Sequence, residues 1–140
     1  EKFQKLFSVN AIAPAMIAKY FAPKLNKERK SVFAAISARV SSISDNRLGG
    51  WYAYRASKAA LNMVLKNVSI EISRSNKNAI IVGLHPGTVD SNLSKPFQAG
   101  VSKEKLFTAQ YSAQKMLEVI DGLSQSDSGS LGTAKVVVGS

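Results

Sequence analysis

Apolar residues recur at three- and four-residue steps through the first twenty positions. Phe3, Leu6, Phe7, Val9, Ile12, Met16, Ile17, Tyr20 and Phe21 follow that spacing, which predicts a largely buried helix over residues 1–22. Pro23 and the polar stretch after it end the helix. Val32-Phe33-Ala34-Ala35-Ile36 is a short apolar run of the kind found in a buried strand. A serine-rich loop follows, with Asp45-Asn46 and Gly49-Gly50 as turn signals. Residues 51–73 are again helical in pattern, with Ala56, Ala59, Ala60, Met63, Val64 and Val68 expected on the covered side. Residues 79–84 predict a second apolar strand, stopped by Pro86-Gly87. Residues 88–107 read as irregular. Thr108 can cap a third helix with a stripe of Ala113, Met116, Leu117, Ile120 and Leu123. Residues 133–138 predict a last strand after a Ser/Gly-rich stretch.

This alternation of helix and strand predicts an α/β fold, a parallel sheet covered by helices, with right-handed crossovers. Ligands on such sheets bind beyond the carboxyl ends of the strands. The functional loops are therefore expected at residues 37–50 and 85–107.

Composition narrows the chemistry. With 140 residues, 45% of them hydrophobic, the chain is long enough to bury a core without staples. It contains no Cys, which excludes a disulfide scaffold and thiolate-bound metals. A single His and nine acids make a zinc site improbable. No apolar run approaches the roughly 18 residues of a membrane span, and no signal-peptide pattern is seen, so a cytoplasmic protein is expected. The net charge of +10 raises the possibility of anionic ligands or nucleic acid. Its densest stretch, residues 24–30, is short, interrupted by Glu28 and free of aromatics. It reads as a solvated loop whose cations suit a helix C-terminus, and nucleic acid is not the expected partner.

The candidate chemistry lies in Tyr54-Arg55-Ala56-Ser57-Lys58. A four-residue spacing puts the phenol and the ammonium on one helix face, one turn apart. A phenol ionises near pH ~10, too high for easy proton exchange at neutrality, and a neighbouring Lys⁺ stabilises the phenolate. Such a Tyr can give a proton to a carbonyl oxygen or take one from an alcohol. Asn10 offers a second signal. Pro14, four residues on, has no N–H, so the Asn10 carbonyl loses its intrahelical donor. Either the helix distorts there and the carbonyl finds another partner such as water, or Pro14 opens the helix near its first turn. The apolar spacing upstream of Asn10 favours the first.

Residues 46–62, Asn-Arg-Leu-Gly-Gly-Trp-Tyr-Ala-Tyr-Arg-Ala-Ser-Lys-Ala-Ala-Leu-Asn, resemble the active-site segment of the short-chain dehydrogenase/reductase family, in particular its C-factor-like and sniffer-like carbonyl reductases. His85-Pro86-Gly87-Thr88-Val89-Asp90-Ser91 is similar to the family's Pro-Gly motif, and Val9-Asn10 to its catalytic-Asn position. The resemblance covers residues 1–123. It implies NAD(P)-dependent interconversion of a carbonyl and an alcohol, with a small carbonyl or alcohol substrate. Tyr54 would be the general acid/base, and Lys58 would hold the nicotinamide ribose and lower the Tyr54 pKa. Asn10 would bind a water linked to that Lys. Pro86, Gly87, Thr88 and Val89 would lie against the nicotinamide, with Ser91 where the family often has Thr. Ser37 is the first choice for the catalytic Ser and Ser42 the alternative, with Ser41 beside it; Ala38 stands where a second Ser would be expected. His85 reads as structural.

The family's Gly-rich turn, its ribose selector and its Asn-Asn-Ala-Gly segment have no counterpart in this sequence. The expectation is therefore one partial Rossmann-type domain over residues 1–140, the C-terminal part of a doubly wound parallel sheet with about three strands and three main helices. Cofactor binding by this chain alone would be weak, and NADP is slightly favoured over NAD by the charge. The edge of the first strand would be exposed. The helices over 1–22 and 51–73 are similar to the family's dimer-forming pair, which predicts a homo-oligomer. A catalytically inactive association module and a basic binder of anionic ligands are the alternative functions. Residues 92–107 occupy the family's substrate-loop position.

Overall fold

A computed structural model describes residues 1–130 and 135–136. The first helix runs unbroken from Lys2 to Phe21 but changes its winding: α1 (Lys2–Phe7) leads into a π-helical turn (Ser8–Ile12), then α2 (Ala13–Phe21). Strand β1 (Ser31–Ile36) follows, then helix α3 (Tyr52–Ser73) and strand β2 (Ala79–His85). The segment after β2 holds two short strands, β3 (Thr88–Val89) and β4 (Leu106–Phe107), ahead of helix α4 (Ala109–Gly122). The described part of the last predicted strand is β5 (Lys135–Val136); the rest of that prediction lies outside the described residues.

The main sheet has the order β1-β2-β5, all parallel. Ser31 pairs with Ala79 and Ile36 with Leu84, so β1 and β2 end together at their carboxyl termini. Helices cover both faces because β2 alternates. Ile80, Val82 and Leu84 pack with Leu123, Met116, Val119 and Ile120 of the α4 region. Ile81 turns the other way, onto Leu61, Leu65 and Ala22. Each fully buried aliphatic side chain stabilises by roughly 1.5–3 kcal/mol, so these two clusters fix where the helices sit. Between them, Ser128 and Gly129 extend the sheet edge: the Ile81 N–H donates to Ser128 Oγ at 3.0 Å and the Gly129 N–H to the Ile81 carbonyl at 2.8 Å.

Three expectations are corrected. The large apolar stripe of the first helix is exposed, not buried: Phe3, Val9, Ile12, Met16, Ile17, Tyr20 and Phe21 all face outward, while Ala11, Ala18 and Ala22 are covered. Spacing identifies a face but not what covers it, and the small residues are those that admit a neighbouring backbone. On α3 the covered residues are Ala53, Ser57, Lys58, Leu61, Leu65 and Ser69, whereas Ala56 and Met63 are exposed. Ala59, Ala60, Val64 and Val68 of the expected stripe are half-buried, with Val68 packed against the core, and the fully covered polar residues are hydrogen-bonded and so bear burial. Residues 88–107 are not wholly irregular: β3 and β4 pair in parallel, Thr88 with Leu106 and Val89 with Phe107. Two-residue strands are too short to show a period of two.

The basic stretch is anchored at several points: Asn76 Nδ2 donates to the carbonyls of Leu25 and Asn26, both at 3.1 Å, and Asn78 Nδ2 to that of Lys27 at 2.7 Å. Lys30 Nζ donates to the carbonyls of Ile120 at 2.8 Å and Asp121 at 2.6 Å, at the C-terminal end of α4, where a cation is favoured by the helix dipole. Among the described residues, β1 has β2 as its one partner strand. No helix among them is long and apolar enough to cross a membrane.

Candidate active site

Gly49, Gly50 and Trp51 have φ values of 63°, 70° and 50°. Three left-handed residues in succession turn the chain into α3, and Trp51 is the non-glycine among them, a conformation that L-residues disfavour. Arg55 holds the turn: its Nε donates to the Gly50 carbonyl at 3.0 Å, its Nη1 to the Val40 carbonyl at 3.4 Å, and its guanidinium lies 5.6 Å from the Trp51 ring centroid. Tyr54 and Lys58 follow on the first turns of α3. Tyr54 is half-buried and Lys58 is buried.

Lys58 Nζ donates to the Ile36 carbonyl at 2.8 Å, at the carboxyl end of β1, and lies 5.9 Å from the Tyr54 ring centroid. Burial pushes the Tyr54 phenol above its ordinary pKa and the Lys58 ammonium below its own. The expected lowering of Tyr54 by Lys58 is therefore not found in this arrangement. The ammonium is engaged with a backbone carbonyl, and desolvation is what acts on the phenol.

Asn10 sits in the π-helical turn, where the Ala13 N–H bonds the Ser8 carbonyl, five residues back. Pro14 can supply no N–H to the Asn10 carbonyl, and the helix accommodates this by widening. It does not begin at Pro14. The Asn10 side chain reaches α3: Nδ2 donates to Ser57 Oγ at 3.0 Å, and Ser57 Oγ donates to the Tyr54 carbonyl at 2.8 Å. Ser57 is fully buried by these contacts.

The serines after β1 have distinct surroundings. Ser37 is 2% exposed; its N–H donates to the Leu84 carbonyl at 2.8 Å and its hydroxyl to Asn62 Oδ1 at 2.7 Å. Its hydroxyl is thus committed to α3. Ser41 accepts from Asn62 Nδ2 at 2.7 Å and donates to the Ala38 carbonyl at 2.6 Å. Ser42 bonds within its own loop, to Ser44 Oγ at 3.2 Å and from the Asp45 N–H at 3.3 Å.

Pro86 and Gly87 leave β2 at the same sheet end, since Ile36 is paired with Leu84. Gly87 has φ 76°, the left-handed region a side chain would resist. The turn is anchored by buried Ser112, whose hydroxyl donates to the Pro86 carbonyl at 2.6 Å. Thr88 and Val89 are held by β4, and the Asp90 N–H donates to the Phe107 carbonyl at 2.9 Å. Ser91 is exposed and pairs with Ser94. Among the described residues, His85 Nδ1 is buried without a hydrogen-bond partner. Burial, and then the charge of Arg39, lower the His85 pKa.

The sheet therefore gathers Tyr54, Lys58, Ser37, Ser42, Pro86, Gly87, Thr88 and Val89 at one end, with Asn10 joined through Ser57. Sequence reasoning passed over Ser57, Asn62 and Ser112. Asn62 and Lys58 are four residues apart, a spacing that places them on one face; Ser57 lies within the Tyr54–Lys58 motif without any sign of its link to Asn10, and Ser112 is a buried hydroxyl outside every motif.

The donor set suits the nicotinamide ribose end of a dinucleotide. An ammonium has three N–H donors; one of those on Lys58 is used on Ile36, which leaves two for a vicinal diol.

Residues 1–102 match the family described as short chain dehydrogenase. The chain is 34% identical over 125 residues to the C-signal protein of Myxococcus xanthus, a match covering 89% of this chain and 70% of that one. It is 32% identical over 126 residues to the 1-hydroxy-2-glutathionyl-2-methyl-3-butene dehydrogenase of Rhodococcus sp. (strain AD45), with 90% and 53% covered. Among solved structures it is similar to the carbonyl reductase Sniffer of D. melanogaster, with a TM-score of 0.78, 25% identity and 91% and 52% of the two chains covered. An NADPH-bound carbonyl reductase from chicken fatty liver superposes with a TM-score of 0.74 at 27% identity, covering 91% and 51%. The chain spans about half the length of the last three relatives. Its parallel strands with helices on both faces are part of a Rossmann-type fold. With this fold, the Tyr-Lys face at the sheet's carboxyl end and the family match, the chain belongs to the short-chain dehydrogenases.

Proposed function

We propose that these residues form the acid–base part of an NAD(P)-dependent oxidoreductase that interconverts a small carbonyl compound and its alcohol, within one Rossmann-type domain of which the 140 residues are a part. The observation that carries this reading is the placing of Tyr54 and Lys58 together on α3, with Lys58 tied to the Ile36 carbonyl beside the Pro86-Gly87 turn. When bound, the reduced nicotinamide supplies the hydride for the carbonyl carbon. Tyr54 gives its proton to the carbonyl oxygen, and in the reverse direction takes it from the alcohol. Burial favours the protonated phenol, which suits Tyr54 to the donor role at neutral pH. Lys58 holds the ribose hydroxyls with its remaining N–H donors. Pro86, Gly87, Thr88 and Val89 line the nicotinamide side, with Ser91 next to them. Asn10 holds α3 through Ser57. Of the two candidate serines, Ser42 is the one whose hydroxyl is not tied to α3, and it is assigned to the substrate carbonyl. The net charge of +10 favours the phosphorylated cofactor.

The test uses the intact protein that carries this chain, with NADPH, NADH and benzaldehyde as probes. The expected result is aldehyde-dependent oxidation, faster with NADPH, and a loss of about a thousandfold or more in kcat/KM for Tyr54→Phe, as for removal of a principal proton donor. Absence of binding to either nucleotide, or an unchanged Tyr54→Phe variant, overturns the reading.

A further inference from the structure

We propose that Asn62 is a positioning residue, one that locks the serine loop after β1 onto α3 and thereby keeps the Ile36 carbonyl on Lys58. The inference rests on the oxidoreductase reading of Lys58 for its consequence, though not for its geometry.

Asn62 lies one helical turn beyond Lys58 on the same face of α3. The two side chains reach successive points of one short segment. Lys58 Nζ takes the Ile36 carbonyl at 2.8 Å, Asn62 Oδ1 takes the Ser37 hydroxyl at 2.7 Å, and Asn62 Nδ2 takes Ser41 Oγ at 2.7 Å. The orientation of the amide follows from the hydroxyls. Ser41 has one proton, and it goes to the Ala38 carbonyl at 2.6 Å. Its bond to Asn62 must therefore be accepted from Nδ2, which leaves Oδ1 to face Ser37. Every group in the chain Ala38–Ser41–Asn62–Ser37 is paired, and Ser37 also donates its N–H to Leu84 on the neighbouring strand. A buried network satisfied in this way holds one geometry, and removing its centre leaves two hydroxyls without their partner.

Gly83 on β2 is part of the same device. A Cβ at that position would stand 3.2 Å from Ser37 Cβ, 3.3 Å from Leu65 Cδ1 and 3.5 Å from Asn62 Oδ1. Those spacings are tighter than ordinary contact at Ser37, so a glycine leaves the room in which Ser37 meets Asn62. Ile36 is bonded directly to Ser37, so the position of the Ile36 carbonyl follows that of Ser37. With the lock released, Lys58 loses its fixed acceptor while its place in the chain is unchanged.

The experiment compares wild type, Asn62→Ala, Ser41→Ala, the double variant and Gly83→Ala in the intact protein. Amide exchange is expected to quicken about tenfold or more over residues 37–42 in Asn62→Ala, the scale of one lost buried hydrogen bond, with the amides of residues 58–65 unchanged. With NADPH and benzaldehyde, the KM for NADPH is expected to rise about tenfold with little change in kcat, because Lys58 is the group assigned to the ribose hydroxyls. Gly83→Ala should produce the same pattern more weakly, and Asn62→Ala should cost less in the Ser41→Ala background. If Asn62→Ala does not fold, Ser41→Ala, which removes only the loop end of the lock, carries the same expectations. Unchanged exchange over residues 37–42, or an unchanged KM for NADPH in a folded variant, overturns the proposal. A wild-type protein without reductase activity is instead a failure of the oxidoreductase reading, and the exchange result alone then decides the lock.

Discussion

The side-chain amide of Asn10 donates to the hydroxyl of Ser57 at 3.0 Å, joining the π-helical turn of the first helix to the middle of the Tyr54–Lys58 turn on α3. Ser57 passes the contact on, donating to the Tyr54 carbonyl at 2.8 Å. A helix defect and an active-site helix are thus one unit. Asn10→Ala is expected to destabilise the fold by about 1 kcal/mol, the net worth of a typical hydrogen bond. Pro14→Ala restores an N–H to the first helix and should return residues 8–12 towards regular α-helical winding. Urea denaturation and backbone chemical shifts read the two effects; an Asn10→Ala variant as stable as wild type would contradict the first.

Burial raises the Tyr54 pKa, so the phenol keeps its proton to higher pH than an exposed one. Carbonyl reduction, which needs the proton, should run level through neutrality and decline only as pH rises above about 10, the ordinary phenol value. Alcohol oxidation, which needs the base, should rise with pH over the same range. The pH dependence of kcat/KM in both directions tests this. A reductive rate that halves near neutral pH in the Tyr54-dependent reaction would show that the phenol is depressed.

Ser37 and Ser42 are separated by their partners. Ser37→Ala removes a hydroxyl bonded to Asn62 and should act on stability and loop order, costing about 1–3 kcal/mol by leaving Asn62 Oδ1 unsatisfied. Ser42→Ala should lower kcat by about tenfold or more with a smaller change in stability, as expected for a group that aids the transition state. The reverse assignment, with kinetic loss confined to Ser37→Ala, would place the substrate on the other serine.

The fold favours neutral His85, through burial first and Arg39 second. Its folded pKa is lowered, so between that value and about 6.5 the unfolded chain binds more protons, and stability falls as pH drops through that window. His85→Asn should flatten the acid side of a Tm-against-pH curve. A wild-type curve no steeper than the variant's below pH about 6.5 would remove the effect.

Met16, Ile17, Tyr20 and Phe21 of α2 and Met63 and Ile70 of α3 are exposed. So broad an apolar surface is expected to be covered by a second copy. Sedimentation equilibrium should give a dimer at micromolar concentration, weakened by Ile17→Glu. A stable monomer at that concentration counts against it.

Much of the architecture was legible because local patterns report it. Apolar runs placed β1 and β2 within a residue or two, Thr108 was recognisable as a cap and accepts the Tyr111 N–H at 3.2 Å, and Pro14 predicted a disturbance at Asn10. Tyr54 and Lys58 were legible as a pair because four residues make one helical turn. Ser37 was legible as a serine at a strand end but not in its direction, since a strand residue's neighbours across the sheet come from elsewhere in the chain. Asn62 closed the family-like segment one turn after Lys58, but nothing in the sequence showed its partners. It acquires its role from Ser37 and Ser41, which the crossover returns to it.

Sequence alone determined the order of the main helices and longer strands, the Tyr-Lys spacing and the family, each of which is written in residues close together or in a contiguous motif. Only the tertiary structure decided which faces are covered, that α1 and α2 leave their large side chains outward, and that burial raises the Tyr54 pKa. These depend on what lies across a packing interface, and burial and hydrogen bonding are properties of that meeting, not of either strand of sequence by itself.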